Sequence, residues 1–223
     1  MAGSFAARPK GSSAAAATTT PATVKPAAIG YDPGVTPISQ WLEEAGAQHD
    51  VVQWAEPYAA DMQALWERCP RGDWMLAIAA RLGARGPRLV QAAIGCARLA
   101  LAYVPDDDPR AAGALDGTQK YCEGANSLDA CRIYRQLLHV AVDTAEDPAA
   151  AAAFSAAVAA IDAIDDPEAA VSAAVFAAQA AVLSAGDCAM AEALRFVHEK
   201  SARQVRQYLP ATTLTALYSA AVD

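Results

Sequence analysis

From Thr36 onward the larger apolar residues recur every three or four positions, the spacing that places them on one face of a helix. Trp54, Tyr58, Met62, Leu65 and Trp66 form one such stripe. Phe154, Val158, Ile161 and Ile164 form a second, Val171, Val175, Gln179 and Val182 a third, and Met190, Leu194, Val197 and Val205 a fourth. No segment sustains the alternation of a half-buried strand, and β-branched residues are sparse. Helix starts recur: Asp108-Pro109, Asp147-Pro148 and Asp166-Pro167 each set an aspartate cap before a proline at the first helical position, where its missing N–H is harmless. Gly86-Pro87 is a weaker form of the signal, and Ser127 and Asp187 read as further caps. Gly46, Gly83, Gly124 and Gly186 stand where helices should stop. The pattern predicts helices over 37–45, 51–69, 73–83, 87–104, 109–123, 128–145, 148–164, 167–185 and 188–208, with a short last turn near 212–221.

Short joints make consecutive helices antiparallel neighbours. The predicted fold is therefore all-α: one domain of about eight helices over 36–223, packed as a bundle or as a helical-repeat array. An array draws its support from a weak internal echo, in which DPAAAAAFSAAVAAIDAID from 147 and DPEAAVSAAVFAAQAAVLSAG from 166 share a start and a length. Residues 1–35 differ. Ala, Ser, Thr, Pro and Gly dominate, with only Phe5, Val24, Ile29 and Tyr31 to bury, so the segment is expected to be a disordered arm, mildly basic through Arg8, Lys10 and Lys25.

Composition changes the picture of the core. Hydrophobic residues make up 54% of the chain, yet 59 of its 223 positions are alanine. Such a core depends on close backbone approach more than on bulky side chains. Trp41, Trp54, Trp66 and Trp74 are expected to fill what alanine leaves thin.

Charge narrows the partners. With 17 basic and 25 acidic residues the chain carries −8, and without residues 1–40 (three basic, one acidic) the remainder carries −10. That balance argues against nucleic acid, whose phosphates require a basic stripe. No apolar run is long enough for a bilayer, and the first residues lack the apolar centre of a secretion signal, so a cytoplasmic location is expected. Cys69, Cys96, Cys122, Cys131 and Cys188 are scattered without a Cys-x-x-Cys pair, and His49, His139 and His198 fall in three segments. Free thiols, with no metal and no cofactor, are the expectation.

Three features could carry function. Arg132 and His139 stand seven apart on one predicted helix, close to two turns, and an arginine shortly before a histidine marks the helical HEPN ribonucleases. Here Ile133 occupies the place where a polar residue usually follows the arginine. The second feature is acidic clustering at Asp106, Asp107 and Asp108, at Asp143, Glu146 and Asp147, and at Asp162, Asp165, Asp166 and Glu168. Helix capping accounts for Asp108, Asp147 and Asp166. The surplus points to a negative face for a basic partner, with Asp106, Asp107, Asp108, Asp162, Asp165, Asp166 and Glu168 as its residues. The third is the basic helix of Arg195, His198, Lys200, Arg203 and Arg206, in which Arg195, Glu199 and Arg203 are expected to pair along a solvated face.

The segments CPRGDWMLAIAARLG (69–83), LVQAAIGCARLALAYVP (89–105), DDPRAAGALDGTQKYCEG (107–124) and RQVRQYLP (203–210) resemble, in order and spacing, an alanine-rich, all-helical bacterial family of immunity proteins associated with polymorphic toxin systems. Cys69, Pro70 and Trp74 match that family's opening element, while Tyr121 stands where its members often carry tryptophan. The resemblance implies a non-catalytic protein that binds and blocks a toxin domain, with no cofactor. The long N-terminal arm departs from the compact members and leaves a second expectation open, that of a subunit of a larger assembly tethered by its arm.

Overall fold

The computed structural model describes residues 37–58 and 61–222, so the expected arm over 1–35 lies outside the described residues. Among the described residues there are helices and no strands. Eleven α-helices run in order: α1 (Ile38–Glu44), α2 (His49–Ala55), α3 (Met62–Arg68), α4 (Gly72–Arg81), α5 (Pro87–Arg98), α6 (Arg110–Cys122), α7 (Leu128–Thr144), α8 (Pro148–Asp162), α9 (Ala169–Ser184), α10 (Met190–Tyr208) and α11 (Ala211–Val222).

The capping signals place most boundaries. Ser127 accepts from the Ala130 amide at 3.2 Å and Asp147 from the Ala149 amide at 3.0 Å, opening α7 and α8. Asp108 and Asp166 do the same for Arg110 and Glu168, both at 3.0 Å. Gly46, Gly83 and Gly124 all adopt positive φ after α1, α4 and α6. Behind each, the next amide bonds back to a carbonyl five residues earlier, as in Ala84 to Ala79 at 2.9 Å.

Four boundaries differ from the sequence pattern. The single helix expected over 51–69 is broken: α2 tightens into a 3-10 turn over Glu56–Tyr58, and α3 starts afresh under an Asp61 cap on the Ala64 amide at 2.8 Å. Pro57 is the cause, since it lacks the N–H of a continuing helix and disfavours helical backbone in the residue before it. The predicted 87–104 helix ends as α at Arg98 and finishes as a 3-10 turn over Leu99–Tyr103. Asp187 caps nothing, because α10 begins only at Met190. The last turn is a full helix, α11.

The core is built around α8 and α9, which form the most extensive helix pairing among the described residues. Every buried residue of α9 is an alanine, Ala170 through Ala181, and most of the buried face of α8 is alanine too, around Phe154, Val158 and Ile161. Small side chains on both faces let the two axes approach to about 8 Å, the lower limit for packed helices. Helix α5 packs on α6, α8, α9 and α10, and α10 also packs on α4. Contacts this remote in sequence make the domain a bundle and not a one-dimensional array. Trp66 is buried and donates its Nε1–H to the Leu209 carbonyl at 2.8 Å, fastening α3 under the end of α10.

Antiparallel packing sorts the joints into two ends. One end gathers the start of α6, the end of α7, the start of α8, the end of α9 and the start of α10. The other gathers the end of α6, the start of α7, the end of α8 and the start of α9.

Candidate functional site

The acidic residues singled out from the sequence divide between these ends. Asp106, Asp107 and Asp108 precede α6, at the end that also carries Asp143, Glu146 and Asp147. Asp162 ends α8, and Asp165, Asp166 and Glu168 lie between α8 and α9 at the other, the length of α8 away, about 22 Å for 15 residues. The seven do not form one surface. Two of them are also paired with arginines. Arg110 grips Asp108 through Nε and Nη2, the latter at 2.6 Å, and these hydrogen bonds hold the carboxyl below its ordinary range. Asp162 meets Arg135 Nε at 2.5 Å, yet its partial burial outweighs the attraction of Arg135 and His139 and pushes its pKa up. Asp106, Asp107, Asp165, Asp166 and Glu168 are exposed.

Arg132 and His139 both lie on the solvent side of α7, but they open onto different depressions. His139 lines a shallow cleft of about 260 Å³ with Ser155, Asp162, Ser172 and Phe176. Arg132 lines another with Gln136, Ile161 and Asp165, and its Nη1 pairs with Asp129 at 3.0 Å. Asp162 borders both clefts, and its partner Arg135 lines the second.

The basic helix corrects an expectation. His198 is 9% exposed and sits among the core residues of α10, with Nδ1 3.5 Å from Asp73 Oδ1 on α4. Burial lowers its pKa, opposed by Asp73 and reinforced by Arg71. Asp73, also buried, is held by Arg71 Nε at 3.1 Å and Nη2 at 2.6 Å, and the Arg71 guanidinium lies 4.4 Å over the Trp74 ring. Arg206 turns inward and donates to the carbonyls of Trp66, at 3.1 Å, and Cys69. Among the described residues no ion pair joins Arg195, Glu199 and Arg203. His198 and Arg206 turn toward the core because α4 and α3 offer a carboxylate and two carbonyls there, while Arg195 and Arg203 stay exposed.

Two apolar surfaces escaped sequence reasoning. On α7, Ile133, Leu137 and Val140 are each half exposed and stand at i, i+4 and i+7, while Cys131, Leu138 and Ala141 are buried. The signal was present as a helix with more apolar positions than one buried face needs. At the α9–α10 corner Leu183, Met190, Leu194 and Phe196 are exposed. Met190 and Leu194 continue the stripe of Val197, Ser201 and Val205, all buried, so the inward face of α10 runs off the bundle for its first two turns. The fourth sequence stripe is thus core only in its second half.

The thiols are free: Cys69, Cys96 and Cys131 are buried, Cys122 half-buried and Cys188 exposed. Burial pushes Cys69 up to about 12. Among the described residues no three His, Cys, Asp or Glu side chains gather closely enough to hold a metal ion, and no helix is long and apolar enough to cross a membrane. In comparisons with family models, with curated proteins and with solved structures, nothing matches this chain.

Proposed function

We propose that this chain is a non-catalytic, protein-binding helical domain that docks a partner at the end of the bundle where α10 overhangs. The observation that carries the reading is the uncovered start of α10, where Met190 and Leu194 extend a buried stripe into solvent, with Leu183 exposed near the end of α9. A contiguous apolar patch rimmed by charge is the usual form of a partner surface. The rim is acidic: Asp106, Asp107, Glu146, Asp187 and Glu192 lie on or beside the helix termini gathered at this end. A partner that is apolar at its centre and basic at its margin fits, and opposite charge speeds its association. The resemblance of segments 69–83, 89–105, 107–124 and 203–210 to immunity proteins supports a toxin domain as that partner, bound so that its active surface is occupied. The acidic group at the opposite end, Asp162 to Glu168, is left outside this interface.

The test is copurification with the chain as bait in its native host. A stoichiometric, salt-sensitive complex with one basic protein, weakened at least tenfold by Leu194→Asp, supports the reading. Large homomeric particles in its place favour the structural-subunit alternative. A complex indifferent to Leu194→Asp and to charge reversal at Asp106 and Asp107 places the interface elsewhere.

A further inference from the structure

We propose that the outer face of α7 is a self-association surface, on which two copies of this chain pair antiparallel about a twofold axis passing between Gln136 and Leu137. The argument begins with exposure. Ile133, Leu137 and Val140 are 57%, 50% and 56% exposed, whereas the opposite side of α7 is buried against α6 and α8. Three large apolar side chains in line along about two turns make a stripe for another helix.

What identifies the occupant is the symmetry of this stripe. A twofold interface must be complementary to itself: if residue i meets residue j of the partner, then j meets i. Ile133 and Val140 lie equally far on either side of the midpoint between Gln136 and Leu137. An antiparallel copy centred there sets each Ile133 on the other chain's Val140 and packs the two Leu137 side chains at the axis. The flanking charges obey the same operator. Arg132 and Asp143 project on the same side of the stripe by helical geometry, Arg132 four and a half residues before the midpoint and Asp143 six and a half after it. Antiparallel pairing therefore brings each Arg132 within about 3 Å, measured along the helix axis, of the partner's Asp143, giving two opposite-charge pairs per dimer. Both residues are exposed, and among the described residues Arg132 pairs with the neighbouring, 84% exposed Asp129 alone.

Net charge favours this face over others. The folded part as a whole is strongly acidic, which repels a second copy. The outer side of α7 carries a single net negative charge, with Arg132 against Asp129 and Asp143, since Arg135 turns to Asp162 on α8. Two copies meet there with little repulsion, and each Arg132 offsets a carboxylate of the other copy. The stripe lies on a different helix from the α10 overhang, so the inference stands or falls independently of the proposed partner surface.

Sedimentation velocity on the full chain tests it. The expected result is a concentration-dependent dimer that Leu137→Glu reduces to monomer with its helical circular dichroism unchanged. Asp143→Arg should weaken the dimer at least tenfold by setting arginine against arginine, and Arg132→Asp combined with Asp143→Arg should restore it. A chain that stays monomeric at millimolar concentration overturns the proposal. So does a dimer that survives Leu137→Glu, or a double variant no tighter than Asp143→Arg alone.

Discussion

His198 on α10 and Asp73 on α4 face each other inside the bundle, Nδ1 to Oδ1 3.5 Å, and neither is more than 9% exposed. Asp73 is already held by Arg71 through two hydrogen bonds, and that guanidinium itself disfavours a charge on the imidazole. The imidazole is left with a burial penalty that the carboxylate does not cancel, and its pKa falls. Inside the bundle the uncharged imidazole is therefore favoured over the charged one.

This pair makes stability depend on pH with a definite sign. A histidine whose folded pKa lies below its unfolded value of about 6.5 takes up its proton first in the unfolded chain, so stability falls as pH drops below that value. The loss is bounded by about 1.4 kcal/mol per pH unit for one group. Thermal melts of the wild type and of His198→Gln between pH 7.5 and pH 5 should diverge, the wild type losing more. Parallel curves would mean that His198 titrates normally in the fold.

Two glycines in helices should respond to alanine with opposite signs. At Gly72 a Cβ would lie 2.6 Å from the Ser201 Cβ and 2.7 Å from its backbone carbon, and backbone cannot rotate aside. Gly72→Ala should therefore cost about 1–3 kcal/mol by forcing α4 off α10. At Gly113, inside α6, nothing lies within 4 Å of the added atom, and Gly113→Ala should stabilise by roughly 0.5–1 kcal/mol through helix propensity. Urea unfolding of both variants checks the contrast.

The all-helical fold was legible because its punctuation is local. Ser127, Asp147, Gly46 and Gly124 act within a turn of themselves, and the structure uses each as the sequence implies. Pro57 is an equally local signal, but the apolar stripe from Trp54 to Trp66 runs across it and spans two helices. The surfaces were hidden for a different reason. Periodicity finds a face but not what covers it. The stripe of Met190, Leu194, Val197 and Val205 is continuous in sequence, and only the position where the bundle ends divides it into exposed and buried halves. The acidic residues likewise cluster along the chain, while antiparallel packing sends Asp106 and Asp165 to opposite ends. Nor could spacing foretell that His198 and Arg206, embedded in a basic run, would turn inward to Asp73, Trp66 and Cys69.

Thiol reactivity should rank by exposure and acidity. Cys188 is exposed at the α9–α10 joint, Cys122 is half-buried with its pKa pushed up to about 11, and Cys69 is buried with its pKa near 12. Only the thiolate reacts, so a maleimide added to native protein at pH 7.5 should label Cys188 first and leave Cys69 and Cys96 unmodified until unfolding. Peptide mass spectrometry over a time course reads the order. Early labelling of Cys96 would mean that α5 and α10 open readily at Ser201, whose carbonyl lies 3.9 Å from the Cys96 sulfur.

Arg206 joins the N-terminal helices to the C-terminal ones, and its removal should loosen a specific seam. Its guanidinium donates to the Trp66 and Cys69 carbonyls at the end of α3, one turn from where Trp66 Nε1–H reaches the Leu209 carbonyl. Arg206→Ala leaves both carbonyls short of a charge-assisted donor, at about 1–3 kcal/mol for a partly buried site. Arg206→Lys should recover only part of this, because one ammonium on a flexible stem cannot span two acceptors as a planar fork does. The seam carries its own reporter in Trp66, which is 1% exposed. With the other three tryptophans replaced by phenylalanine, Trp66 emission should shift to the red in Arg206→Ala before global unfolding, and less in Arg206→Lys. If the emission of Arg206→Ala stayed at the wild-type wavelength up to the main transition, the Trp66–Leu209 bond alone would hold α3 to α10.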